Sequence, residues 1–172
     1  YTGATSRALE DREGSIWIGL NGAGLARWVG HEEWVGWSSS EGLTHDAVWC
    51  MRRDPNGALW IGTDNGLNRM PAGQEGWKSW TTELGLGQTR VQAVAVAADG
   101  SVFAGCSPGG LKQVFPGSGE VIHYGAGNGL PAERINYLFI DSKQQLWVSS
   151  HNGLFKSTSL AGEIRFQRLQ LP

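Results

Sequence analysis

The chain has 172 residues, of which 26 are glycine and nine tryptophan, with a formal net charge of −2. So small a charge gives no field to draw in nucleic acid or an anionic membrane surface. No apolar run reaches the roughly 18 residues needed to cross a bilayer. Only 17% of residues are charged, and glycine in this abundance argues against helices. Short aromatic strands joined by many turns fit better, so the expected class is all-β.

Taken from the start, Tyr-Thr-Gly-Ala-Thr-Ser-Arg shows no apolar run of signal-peptide type. A pattern then opens with Asp11-Arg-Glu-Gly14-Ser-Ile-Trp17-Ile-Gly19 and closes on Gly24-Leu25. It returns as Asp54-Pro-Asn-Gly57-Ala-Leu-Trp60-Ile-Gly62, leading to Gly66-Leu67. A third copy, Asp99-Gly100-Ser-Val-Phe103-Ala-Gly105, leads to Gly110-Leu111, and a fourth runs from Asp141 through Trp147 to Gly153-Leu154. The aromatic anchor falls at 17, 60, 103 and 147, a period of 43 or 44 residues. A second marker, Gly42-Leu43, Gly85-Leu86 and Gly129-Leu130, keeps the same period. Two markers in step make a repeat protein.

Each unit reads as four short strands. In the second these are Val48 to Arg53, Leu59 to Thr63, Leu67 to Met70 and Trp77 to Thr82. Asn65-Gly66 is expected to form a type I′ hairpin turn. A four-stranded antiparallel unit of this length is a β-propeller blade. The expected organisation is one propeller segment over 1–172, with blades at about 5–40, 46–83, 89–125 and 133–170. Trp17, Trp60 and Trp147, with Trp37, Trp80 and Tyr124, are expected to fill the wedges between blades. Cys50 and Cys106 occupy non-equivalent places in the repeat and read as buried free thiols rather than a disulfide framework.

The run D-x-x-G-x-[IL]-W-[IV]-G followed by G-L-x-R resembles the two-component regulator propeller repeat. Asp54, Gly57, Leu59, Trp60, Ile61, Gly62, Thr63, Gly66, Leu67 and Arg69 carry the likeness best. The third unit departs with Phe103, and the fourth with Gln144 and Ser149. The resemblance implies a periplasmic or extracytoplasmic sensor region of a hybrid histidine kinase or diguanylate cyclase, in some cases an oligosaccharide receptor. It also implies rings of about seven blades, which is more than four units supply. Four blades are therefore expected to be completed by further blades or by self-association, with a dimeric eight-blade ring as one form.

Strand alternation puts the connector after each fourth strand and the hairpin after each second strand on one face. Residues that differ between copies carry the specificity of such a face. The period aligns Asp46, Thr89 and Glu133, then Ala47, Arg90 and Arg134, then Ser6, Trp49, Gln92 and Asn136. Arg90 and Arg134 suit a carboxylate, a sulfate or sugar hydroxyls, because guanidinium presents fixed donors. The plainer reading makes them solvated partners of Asp46 and Glu133. Trp49 offers a sugar-stacking plane, or else fills space against the next blade. The candidate ligand-binding set is Arg90, Arg134, Trp49, His45, Asp46 and His151, for a small polar ligand such as an oligosaccharide.

No catalytic residue is assigned. The histidines, His31, His45, His123 and His151, show no paired ligand spacing, so neither metal nor cofactor is expected. The aspartates at 11, 54, 99 and 141 read as caps of their own turns rather than calcium ligands. A binding module is thus favoured over two alternatives, a protein-interaction scaffold and a propeller lyase similar to virginiamycin B lyase.

Overall fold

The structure, a computed structural model, describes residues 4–74, 76–87, 89–131 and 134–170. Among these residues sixteen strands form four antiparallel sheets of four. Blade 1 holds β1 (Ala4–Glu10), β2 (Ile16–Asn21), β3 (Leu25–Gly30) and β4 (Glu33–Trp37). Blade 2 holds β5 (Val48–Arg53), β6 (Leu59–Thr63), β7 (Gly66–Met70) and β8 (Lys78–Trp80). Blade 3 holds β9 (Arg90–Val96), β10 (Val102–Ser107), β11 (Gly110–Val114) and β12 (Val121–Tyr124). Blade 4 holds β13 (Ile135–Ile140), β14 (Leu146–Ser150), β15 (Gly153–Ser157) and β16 (Phe166–Arg168). The first strands pack one on the next, β1 on β5, β5 on β9 and β9 on β13, so they form the inner edge.

The repeated aspartate has a definite task. Asp54 Oδ1 accepts the Asn56 and Ala58 amides at 2.9 Å each, and Oδ2 accepts Trp60 Nε1 at 3.1 Å. Asp11 holds the Glu13 and Ser15 amides and the Trp17 indole in the same way. So does Asp141 for Lys143, Gln145 and Trp147. One carboxylate therefore closes the turn and fixes the indole, which otherwise would bury an unpaired donor. Blade 3 shows the rule by departing from it. Its turn bonds, Ala97 N to Ser101 O and Gly100 N to Ala97 O, place Ala97 where Asp54 stands in blade 2. Asp99 lies two residues later and holds Ser101 instead. Losing the acceptor is tolerated because Phe103, unlike tryptophan, has no donor to satisfy.

These aromatics face the following blade. Trp17 and Trp60 each pack on the outer-strand tryptophan of their own sheet, Trp37 (stacked) and Trp80 (tilted by 30°), with ring centroids 5.3 Å apart. Trp17 then packs with Val48, Leu59 and Ile61 of blade 2, and Trp60 with Val91, Val102 and Ala104 of blade 3. Phe103 packs with Ile135, Leu146 and Val148 of blade 4. Nearer the inner edge the gap narrows until only glycine fits. A Cβ on Gly62 would lie 2.4 Å from the Val91 carbonyl oxygen, and one on Gly105 would lie 2.6 Å from Ile135 Cγ2.

The Gly-Leu marker also gains a physical reason. Each connector makes a single 3₁₀ turn, at Ser39–Glu41, Thr82–Leu84 and Ala126–Asn128. Gly42, Gly85 and Gly129 end these turns in the left-handed conformation, as helix termini favour. Leu43, Leu86 and Leu130 then enter the core. One expectation is corrected. The Thr63–Gly66 hairpin turns on Asp64-Asn65 with Gly66 alone at positive φ, because Thr63 Oγ1 accepts the Asn65 amide and donates to the Gly66 carbonyl. Two central residues at positive φ occur instead at His31-Glu32 in blade 1.

Aromatic side chains stand exposed on both end blades. Tyr137 and Phe139 on blade 4 are 48% and 51% exposed, and Trp28 and Trp34 on blade 1 are 38% and 46% exposed. Both cysteines are free and buried.

Two outcomes follow from the carboxylate–indole pair. Asp54→Ala strands two turn amides and an indole N–H and should cost about 3 kcal/mol. Adding Trp60→Phe, which recreates the pairing of blade 3, should cost about 1 kcal/mol less than the two single changes summed. Urea denaturation measures both, and strict additivity would show that the pair is not coupled. The Asp11 carboxyl gives a pH dependence. Burial opposes its ionisation, but the Trp17 indole, the Ser15 amide and the Arg27 and Arg53 guanidinia outweigh that and hold its pKa below the ordinary value. Its contribution is complete above the unfolded carboxyl value of about 4 and is lost as pH falls through the folded value. Asp11→Asn should flatten the acid limb of a stability–pH curve below about pH 4; an unchanged limb would contradict the assignment.

Candidate functional site

All four inner strands carry an irregularity at one place in the repeat. The register skips a residue between Thr5 and Arg7, between Val48 and Cys50, and between Ile135 and Tyr137. In blade 3, Gly105 pairs with Ala93 while Cys106 pairs with Val91, which leaves Gln92 without a partner. The extra residues are Ser6, Trp49, Gln92 and Asn136. A bulge frees a side chain from the ladder and re-aims it. The column whose chemistry varies between blades is thus the column the backbone presents at the inner edge.

Around Trp49 this produces a connected group. Asp64, in the β6–β7 hairpin, accepts Trp49 Nε1 at 2.9 Å and Arg90 Nε on the same carboxylate oxygen. The Arg90 guanidinium carbon lies 4.3 Å from the Trp49 ring centroid, a cation–π arrangement. The Arg90 and Asp64 side chains are 40% and 28% exposed. They are anchored by one another and remain reachable from solvent. The Asp64 amide also donates to the Ala47 carbonyl at 3.1 Å, so the hairpin is tied to the connector that precedes β5.

Two of the six candidates, Trp49 and Arg90, therefore meet. Arg90 answers Asp64, not Asp46. Asp46 has a different role: its carboxylate accepts the Ser39 amide at 2.6 Å, and its carbonyl accepts the Gly22 and Gly24 amides of blade 1. It clips blade 1 to the connector. His45 is exposed and its Nδ1 accepts the Ala47 amide at 3.0 Å, closing the same bend. Arg134 is exposed just before β13, and Glu133 lies outside the described residues. His151 is exposed at the β14–β15 hairpin, beside a cleft shared with Pro131 and Arg168. Neither joins the Trp49 group through any described contact.

Asp64 is the member that residue columns missed. Its signal was the hairpin after the second strand, which alternation places at the same end as the Arg90 connector. Elsewhere, His123 bonds the Gly85 carbonyl through Nε2 at 3.0 Å, and His31 sits in the β3–β4 turn. Among the described residues, no three His, Cys, Asp or Glu side chains gather as metal ligands. Burial pushes the Cys50 thiol up to about 12, against the pull of the Gly62 backbone and of Arg7 and Arg52. That thiol is protonated at neutral pH.

Residues 42–65 match the family described as Two component regulator propeller. Comparison with curated proteins gave no match. Among solved structures, the chain is similar to the extracellular domain of BT3049 from B. thetaiotaomicron, described as a hybrid two component system. The TM-score is 0.81 at 21% identity, covering 97% of this chain and 23% of that one. The extracellular domain of BT4673 from the same organism gives 0.75 at 25% identity, over 99% of this chain and 22% of that one. Virginiamycin B lyase from Staphylococcus aureus, as an inactive H270A variant with quinupristin, gives 0.78 at 13% identity, over 99% and 57%. The chain spans less than a quarter of the length of the two extracellular domains. No helix among the described residues is long and apolar enough to cross a membrane. Residues 42–65 match a two component regulator propeller repeat, and the four-bladed segment that contains them shares its fold with parts of the extracellular domains of BT3049 and BT4673.

Proposed function

We propose that this segment is the ligand-reading part of a bacterial signalling receptor, working outside the cytoplasm. In this reading the Trp49–Asp64–Arg90 group contacts a small polyhydroxylated ligand such as an oligosaccharide. The observation that carries it is the shared carboxylate oxygen, which locks a guanidinium over an indole at a bulge. The group offers donors from Arg90 and acceptors from Asp64 side by side, and their charges cancel. Such a pair favours neutral hydroxyl groups over a free anion, because an anion would compete with Asp64 for the same guanidinium. The likeness to extracellular domains supports the location and the signalling role; the contact itself is read from this geometry.

A protein-contacting role has one observation in its favour, the uncovered aromatic faces of blades 1 and 4. Exposed apolar surface of this kind is costly in isolation. Further blades or a second copy would cover it, and light scattering at micromolar concentration distinguishes a monomer from a closed assembly.

Calorimetric titration of neutral and anionic oligosaccharides tests the main reading. Some neutral member should bind, and Arg90→Ala or Asp64→Ala should weaken it about tenfold or more. Equal binding by both variants would place the site elsewhere. Independently of any ligand, a double-mutant cycle of Arg90→Ala and Asp64→Ala should give a coupling of about 0.5–1 kcal/mol in stability. Zero coupling would mean that the pair does not persist in solution.

A further inference from the structure

The inner surface below the rim holds a second arrangement, and its charge is not balanced. A cavity of about 230 Å³ lies among the inner strands of all four blades. Its lining includes Arg7 of β1, Arg52 of β5, Gln92 of β9 and Tyr137 of β13, and no acidic side chain. Among the described residues, none of the ion pairs involves Arg7 or Arg52. Arg52 and Tyr137 also border an adjoining, larger cavity whose lining includes Glu10 and Asp54, but neither acid pairs with Arg52.

The hydrogen bonding points the same way. Arg52 donates to the Tyr137 hydroxyl oxygen at 3.1 Å, joining blades 2 and 4 across the concave side. A hydroxyl that accepts from arginine has its own proton left to donate. Gln92, the bulge residue of β9, also lines the cavity and brings an amide to it. Two guanidinia, a phenol and an amide around a small cavity make a donor-rich, cationic pocket.

We propose that this inner pocket is an oxyanion site, binding a sulfate, phosphate or carboxylate group through Arg7, Arg52 and the Tyr137 hydroxyl. Planar guanidinium forks pair with two oxygens at once, and the exposed Arg7, Arg52 and Tyr137 side chains are reachable from solvent. The site is distinct from the rim group, where Asp64 already occupies the guanidinium. One ligand chemistry has two sources, a free inorganic anion or an acidic group carried on a sugar ring.

The experiment titrates the chain with sodium sulfate and separately with glucuronate, by calorimetry at constant ionic strength. The comparison set is Arg7→Gln, Arg52→Gln, Tyr137→Phe and the surface control Arg165→Gln, each checked by circular dichroism for retained sheet. At least one anion should bind saturably. Arg7→Gln and Arg52→Gln should weaken it about tenfold or more and Tyr137→Phe by less, while Arg165→Gln leaves it unchanged. Tighter sulfate binding identifies an inorganic ligand, and tighter glucuronate binding an acidic sugar. If neither anion saturates, if Arg7→Gln and Arg52→Gln bind as before, or if Arg165→Gln weakens binding as much as they do, the proposal is wrong.

Discussion

Everything in this molecule depends on how closely one blade can approach the next. At the inner edge the backbones come so near that a Cβ on Gly62 would overlap the Val91 carbonyl. Further out the gap widens and an indole is needed to fill it. The second-strand tryptophans that fill it have a partner for their N–H inside the same sheet. The aspartate supplies that partner while closing the turn that starts the next strand. Turn, indole and blade contact are thus one device, and the repeat D-x-x-G-x-[IL]-W is its written form. Blade 3 loses the carboxylate and the indole together, as the chemistry requires.

The same inner edge that forces glycine onto the second strands leaves one residue per blade outside the ladder on the first. Stability asks little of that residue, so it is free to vary. In this chain it is serine, tryptophan, glutamine and asparagine by turn. Trp49 builds the rim group with Asp64 and Arg90, while Gln92 lines the inner pocket with Arg7, Arg52 and Tyr137. The two places differ in charge. At the rim the arginine is matched by an aspartate, and in the inner pocket the described arginines are not. On the two proposals, the rim group would meet hydroxyl groups and the inner pocket an anionic group.

Much of the fold was legible because periodicity reports backbone requirements that every copy shares. The strand limits Val48–Arg53 and Leu59–Thr63 could be read directly from the second unit. What the sequence concealed were features set by contact rather than pattern. The 3₁₀ turn before each Gly-Leu has no amphipathic face to announce it. The hairpin at Asp64-Asn65 escaped because the Thr63 hydroxyl, not positive φ at Asn65, stabilises it. At the site, aligning columns found Trp49 and Arg90 but not Asp64, which belongs to a different strand pair. Columns compare equivalent positions, and they are blind to which non-equivalent side chains meet. The same limit hid the contacts of Asp46, which clip blade 1 to its connector.

The central claim is that blade-on-blade contact, more than the hairpins themselves, holds the chain together. Hydrogen–deuterium exchange tests it by comparing the four equivalent second strands. β6 and β10 are covered on both faces, whereas β2 and β14 each have one open face. Amides of β6 and β10 should therefore exchange more slowly than those of β2 and β14, by about tenfold or more. Equal protection across all four strands would contradict the account, since each blade would then be stable without its neighbour.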